Sequence, residues 1–280
     1  DKIGGFLLAD GAGAGKTAQG LAVAYIKQQQ GAKKILILTE RDAVIKDAWK
    51  AEARRIFGTD KILKEWKGSA EEDGIYIATY SKLRVTNPIP TTGWDIVIAD
   101  ESHNLKNWES GTKQAVQGLA LIKNAKQAMF LSATPFDKLQ EIYYIGIKLG
   151  IFKNERNFEE WLRSNGISKV QREISTPRGI RIIYEYAKTK PAKTIAKNIT
   201  RFCDDLTAKG HMLKREVSME GLNVIIKEIG LPSEAYEALQ KISDEYPPEK
   251  KGLMLMAQRR HLENFKIDEA VKLTKQEIEK

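Results

Sequence analysis

The chain has 280 residues, 42% of them hydrophobic and 30% charged, enough to bury one or two cores. No apolar run approaches the ~20 residues a membrane span needs, and the single cysteine, Cys203, excludes an internal disulfide and fits a reducing compartment. The formal charge of +9 is uneven: residues 161–200 hold nine Lys or Arg against Glu173 and Glu185, a pattern that suits either a phosphate-backbone footprint or a solvated insertion.

In chain order, the first half alternates strand-like and helix-like segments. Leu7-Leu8-Ala9 leads into a glycine-rich turn and then a helix over about 16–29. Ile35–Leu38 reads as a buried strand, followed by a helical stretch over about 42–56. Ile75–Ala78, Ile96–Ala99 and Ala128–Leu131 are three more continuous apolar runs, and Leu139 to Leu149 is an apolar-rich helix. Continuous apolar runs mark parallel strands covered on both faces, so an α/β lobe over 1–150 is expected.

Beyond 150 the pattern changes. Phe158, Trp161 and Leu162 mark a helix, as do Ile195, Ile199, Phe202 and Leu206, and the basic segment lies between them. Met212–Val217 and Val224–Ile229 suit short strands, and Tyr236, Leu239 and Ile242 mark a further helix. A mostly helical accessory region over 151–280 is expected. The chain does not begin with Met and enters its first strand almost at once, which suggests a piece of a longer polypeptide.

Three motifs carry chemistry. Asp10-Gly11-Ala12-Gly13-Ala14-Gly15-Lys16-Thr17 sits between a strand and a helix, where glycines let backbone amides turn around phosphates and the helix N-terminus adds positive potential. Lys16 would neutralise β- and γ-phosphates, and the Thr17 hydroxyl would ligate Mg2+. Asp100 closes its strand, placed to hold Mg2+, while Glu101 would polarise the attacking water. His103 follows as a coupling residue. Ser132 and Thr134, after the next apolar run, are placed to bridge that acidic motif to a segment that responds to nucleic acid.

These residues resemble superfamily 2 helicases, and their flanks resemble the Swi/Snf-type ATPases. Asp10, Gly13, Gly15, Lys16, Thr17 and Gln19 match that family's phosphate loop, with Gly11 in place of its acidic residue. His103, Lys106 and Asn107 match the extension of its acidic motif. Trp49 and Glu52, then Thr79-Tyr80, resemble two further motifs. Pro135, Leu139, Glu141 and Ile142 resemble the Thr-Pro motif and its helix, although Leu131-Ser132-Ala133-Thr134-Pro135 stands where Swi/Snf members carry Thr-Gly-Thr-Pro. Lys214–Val217, the run 223–229, Ser233–Leu239 and Leu253–Arg260 resemble the link toward a second lobe. Remodellers and viral or bacterial helicase-like ATPases fit these departures equally.

The resemblance implies a RecA-like lobe that binds ATP and Mg2+. It also implies action on duplex or single-stranded DNA together with a second RecA-like lobe, inside a cell: in bacterial or virus-infected cytoplasm, or in a nucleus. Phosphate contacts are expected near Thr39, Thr79 and Tyr80 and from Arg172, Arg178 and Arg181. The second lobe's arginine motif has no counterpart here, and such an arginine supplies roughly 10³–10⁵ in rate, so feeble hydrolysis is expected of this lobe alone. An RNA helicase lobe and a nucleotide-switched interaction module remain as rivals, and a P-loop kinase is a distant third.

Overall fold

The computed structural model describes residues 4–11, 13–176, 179–215, 233–245, 254, 255, 257 and 258. The chain divides into two compact units, Asp1–Ser218 and Met219–Lys280. In the first, β1 (Gly5–Leu8) leads to α1 (Lys16–Gln29) and β2 (Lys34–Thr39). A continuous helical stretch follows, made of α2 (Asp42–Val44), a π-helical turn (Ile45–Lys50) and α3 (Ala51–Phe57). Next come β3 (Leu63–Glu65), β4 (Gly74–Thr79), β5 (Ile96–Asp100), α4 (Lys113–Asn124), β6 (Gln127–Leu131) and α5 (Tyr143–Lys148). After α6 (Glu155–Ser164) come β7 (Ile167–Thr176), β8 (Gly179–Lys188), α7 (Ala192–Ala208) and β9 (Met212–Leu213).

Seven strands form one sheet in the order β3-β4-β2-β5-β6-β1-β9, every pairing parallel. Alternation along each strand sends neighbours to opposite faces, so this sheet is the middle of three layers. Leu8, Ile35 and Ile37 pack with Leu21, Ala24 and Trp49 on one side. Leu7, Leu36 and Leu38 pack with Leu121, Ile122 and Tyr144 on the other. The parallel α/β lobe expected from the apolar runs is therefore present.

Because the strands are parallel, the residues that follow them gather along one edge of the sheet. That edge is where open α/β sheets bind ligands. Asp10, Thr39, Asp100 and Ser132, each at or just past the end of its strand, lie along it.

The stretch after residue 150 is less helical than its composition suggests. Helices α6 and α7 are as expected, and Phe158 and Phe202 join the same core as α5. Between them, however, β7 and β8 form a two-stranded antiparallel hairpin, paired from Ile167↔Lys188 to Thr176↔Gly179. Its charged and polar residues masked the β alternation of Ile180, Ile182 and Tyr184. Residue 150 thus marks a change of architecture inside the first unit, and β9 returns to the main sheet beside β1. The short strand β3 also has no apolar run to announce it.

In the second unit, α8 (Ser233–Glu245) covers the helix expected from Tyr236, Leu239 and Ile242. Gln258 donates to the Leu239 carbonyl at 3.3 Å and the Ser243 hydroxyl at 3.0 Å. Arg178, Glu216, Val217 and the strand expected over 224–229 lie outside the described residues.

Candidate active site

The glycine loop leaves β1 and turns into α1. Gly13 and Gly15 both have φ of 75°, the left-handed region, and a Cβ at either would meet nothing within 4 Å. Glycine is needed there for backbone conformation, not for space. Lys16 opens α1, and its ammonium donates to the carbonyls of Asp10 (2.9 Å) and Gly11 (3.0 Å), spanning the loop. Thr17 follows on the same first turn, half-buried. Gln19 donates to the Ala14 carbonyl at 3.0 Å and, at 3.4 Å, to the Asp10 carboxylate.

Asp10 itself is fully buried. Its partner comes from 205 residues away: the Arg215 backbone N–H donates to one carboxylate oxygen at 2.8 Å, and the guanidinium donates to the other through Nε at 3.1 Å and through Nη2. The same Nη2 reaches the Gln19 side-chain oxygen at 2.8 Å. Strand pairing delivers this arginine, because Leu7, Ala9 and Gly11 donate in turn to the carbonyls of His211, Leu213 and Arg215. Burial pushes the Asp10 carboxyl up, but the bonds from Arg215 and Gln19 outweigh it, and the group sits below the ordinary aspartate value. The signal lay in the sequence: a charged residue at a loop position usually taken by Gly or Ala must find a partner if it is buried.

Asp100, also buried, is held differently. Among the described residues, Oδ2 accepts from Trp49 Nε1 at 2.9 Å and Thr39 Oγ1 at 3.1 Å, and Oδ1 accepts only from the Glu101 backbone N–H at 3.1 Å. The Tyr80 hydroxyl donates to the Asp100 carbonyl at 2.8 Å. Every one of these donors is neutral. Burial raises the Asp100 carboxyl above its ordinary value despite them, and the charge of Lys16 is among the smaller influences lowering it. Trp49 lies in the π-helical turn, and its ring presses on Gly20 of α1, where a Cβ would come within 2.9 Å of it. That glycine lets the indole pass beneath the loop helix to the carboxylate.

Glu101 has φ of 47°, the one left-handed non-glycine among the described residues. Such a backbone costs about 1–3 kcal/mol and persists where surrounding contacts enforce it. The turn separates the two carboxylates, with Asp100 pointing into the core network and Glu101 toward His103. Burial and then the Asp100 charge raise the Glu101 carboxyl, whereas His103 and Lys16 lower it.

His103 Nδ1 lies 3.2 Å from Glu101 Oε2 and 3.3 Å from the Ser132 hydroxyl, and Nε2 lies 3.9 Å from Glu40. Ser132 is fully buried, and its oxygen accepts from the Thr134 backbone N–H at 3.3 Å. A continuous path thus runs from Glu101 through His103 to the Ser132–Thr134 turn. Lys106 ties the same two segments together by pairing with Asp137 at 3.0 Å and Glu141 at 3.7 Å. Glu40 joins this end of the site through Asn104 at 3.3 Å, a contact no motif had announced.

The residues expected to contact nucleic acid lie in different settings. Thr39, Thr79 and Tyr80 are all buried. Thr39 and Tyr80 spend their hydroxyls on Asp100, and the Thr79 hydroxyl lies 2.7 Å from that of Ser81. Thr39 and Tyr80 thus frame the acidic motif from within the core. Arg172, on β7, is exposed and pairs with Glu185 at 3.3 Å. Arg181 lies on β8 opposite Ile174.

Whether a divalent cation fits can be judged from the donor set. Among the described residues no group of three or more His, Cys, Asp or Glu side chains converges as a metal cage. Asp100 nevertheless offers a buried carboxylate oxygen with one backbone donor and, among the described residues, no cationic partner, beside the second raised carboxyl of Glu101. Hard oxygen donors of this kind suit Mg2+, which commonly takes one or two protein oxygens and completes its shell with water and substrate phosphates.

A family model described as SNF2-related domain matches residues 1–203. Mouse DNA repair and recombination protein RAD54B is 27% identical over 201 residues, covering 62% of this chain and 22% of that protein. Human RAD54B is 30% identical over 157 residues, 50% of this chain and 17% of that one. The ISWI chromatin-remodeling complex ATPase ISW2 of Saccharomyces cerevisiae is 25% identical over 191 residues, 61% and 16%. The chain spans about a fifth of the length of these relatives. Among solved structures, the Sulfolobus solfataricus SWI2/SNF2 ATPase core in complex with dsDNA is similar with a TM-score of 0.51 at 19% identity, covering 92% of this chain and 53% of that one. The S. solfataricus SWI2/SNF2 ATPase core domain gives 0.50 at 19%, covering 94% and 52%. At such identity the likeness concerns the fold alone.

Proposed function

Because the chain belongs to the SNF2-related domain family, we propose that it is the ATP-binding lobe of a DNA translocase, completed by a second RecA-like lobe. The observation that carries this reading is the contrast in how Asp100 is held: a buried carboxylate at the sheet's binding edge, served only by neutral donors and facing a glycine loop that ends in Lys16. In this reading the loop amides and Lys16 bind the phosphates, and Gln19 and the Asp10–Arg215 pair hold the loop in shape. Thr17 and Asp100 would hold Mg2+, which when bound offsets phosphate charge. Glu101 orients the attacking water and takes its proton. His103, Ser132 and Thr134 pass the state of that carboxylate to the next segment.

DNA as the partner is supported by the relatives, which are DNA repair and chromatin-remodelling proteins, and by the basic balance of the chain. A DNA partner also places the protein inside the cell. No helix among the described residues is long and apolar enough to cross a membrane. The direct test is Mg2+-dependent binding of a fluorescent ATP analogue to this chain. Wild type should bind and Lys16→Ala should lose at least tenfold in affinity; equal binding by the two would remove Lys16 from the site. In a two-lobe parent, turnover stimulated by DNA and not by RNA separates the translocase from an RNA helicase, and no stimulation by either favours a nucleotide switch.

A further inference from the structure

β2 and β5 lie side by side in register, with Leu38 opposite Ala99. One step further along, Thr39 reaches the Asp100 carboxylate at 3.1 Å. Continuing the register by one more residue brings Glu40 level with Glu101. Glu40 is half-buried and meets the segment after Glu101 twice, both times through one oxygen. Its Oε1 accepts from Asn104 Nδ2 at 3.3 Å and lies 3.9 Å from His103 Nε2. Asn104 in turn closes the left-handed turn at Glu101. Its Nδ2 donates to the Glu101 carbonyl at 2.9 Å, and its backbone N–H donates to the same oxygen at 3.0 Å. The amide thus spends one hydrogen on each partner. On the other side, His103 Nδ1 faces the Glu101 carboxylate at 3.2 Å. Glu40 therefore grips the two residues that hold Glu101 from the C-terminal side of its turn.

Resting on the hydrolytic reading above, we propose that Glu40 is a positioning residue for ATP hydrolysis. It holds His103 and Asn104, and through them the turn that aims the Glu101 carboxylate at the attacking water. A left-handed backbone at a non-glycine residue needs contacts that enforce it, and the amide of Asn104 supplies two of them. Glu40 fixes that amide from a different strand, so the turn is anchored to the sheet and not only to itself. A carboxylate that served only the surface would extend into water; this one shares an oxygen between two residues of one turn. Among the described residues its polar side-chain contacts are to His103 and Asn104 and not to the glycine loop. Its action therefore falls on the chemical step, where a small misplacement of a reacting group is costly, and not on nucleotide binding.

The test is steady-state ATP hydrolysis by a two-lobe parent, with kcat and KM measured separately. Glu40→Ala should lower kcat about tenfold and leave KM within about twofold. Glu40→Gln should recover most of the loss, because its amide oxygen can still accept from Asn104 and His103. Arg41→Ala, at the exposed neighbouring residue, should behave as wild type. In the 280-residue chain labelled with 15N-histidine, Glu40→Ala should shift the side-chain nitrogen resonances of His103, assigned by their loss in His103→Ala. Asn104→Ala removes the other end of the 3.3 Å bond while keeping the carboxylate, and carries the test if Glu40→Ala does not fold. It too should lower kcat with KM unchanged. Wild-type kcat in either alanine variant, a loss confined to KM, unmoved His103 resonances, or a Glu40→Gln protein as impaired as Glu40→Ala would each overturn the positioning role and leave the hydrolytic reading standing. A wild-type parent that does not hydrolyse ATP removes that reading and this role with it.

Discussion

Asp10 and Asp100 make an instructive pair. Both are buried aspartates at the carboxyl edge of the same parallel sheet, and both would be costly to bury alone. Asp10 is complete: Arg215 and Gln19 satisfy it, and its carboxyl is held below the ordinary value in spite of burial. Asp100 is incomplete: burial lifts its carboxyl, and tryptophan, threonine and a backbone amide do not restore it. A buried acid with its own guanidinium is a structural joint, whereas one with only neutral donors has room for an external cation. On the proposed reading, the difference separates a residue that shapes the loop from one that would hold the cation.

Replacements can break this comparison. The largest expected effect is on turnover. Asp100→Asn and Glu101→Gln should each lower ATP hydrolysis by a two-lobe parent by about 10² or more, measured as phosphate release. Near-normal turnover in either would dismiss the division of labour between the two carboxylates.

Stability should move in opposite directions at the two aspartates. The Asp10 carboxyl is lowered on folding, so it contributes stability above its unfolded value of 3.8, and that contribution fades as pH falls through the lower folded value. Asp10→Asn should therefore lower Tm by several degrees at neutral pH, with the deficit closing in acid. The Asp100 carboxyl is raised on folding, so its ionisation opposes folding once pH exceeds 3.8. Asp100→Asn should be neutral or stabilising at neutral pH, with the gain vanishing below that value. Urea melts across a pH series would show the two trends, and parallel trends would erase the distinction.

Trp49→Phe sharpens the picture further. It keeps an aromatic ring against Gly20 but removes the 2.9 Å donor to Asp100. A loss of about 2 kcal/mol in urea denaturation is expected, as for a hydrogen bond to a charged group. Combined with Asp100→Asn the loss should shrink, and simple additivity would mean that the indole acts through packing alone. The smallest effect is expected at Gly15, where alanine would cost about 1 kcal/mol for its left-handed backbone with no clash to relieve.

Much of this was legible in the sequence because it is local. Continuous apolar runs announce β2, β4, β5 and β6, and the strand–loop–helix setting of Gly15-Lys16-Thr17 places the loop. What was hidden depends on contacts far apart along the chain. Nothing local links Asp10 to Arg215, nor reveals that Thr39 and Tyr80 bond to Asp100. The left-handed turn at Glu101 follows from packing around it, which no propensity encodes. The hairpin was concealed for another reason: its strands lie largely at the surface, so polar and apolar residues mix, and its basic residues read as a solvated stretch.

The most direct measurement is the thermal shift produced by Mg2+ with a non-hydrolysable ATP analogue in wild type, Asp100→Asn and Asp10→Asn. Asp100→Asn should start from a Tm at least as high as wild type and lose the Mg2+-dependent part of the shift, while Asp10→Asn starts lower. An Asp100→Asn protein that keeps the full Mg2+-dependent shift, or that melts as early as Asp10→Asn, would contradict the account.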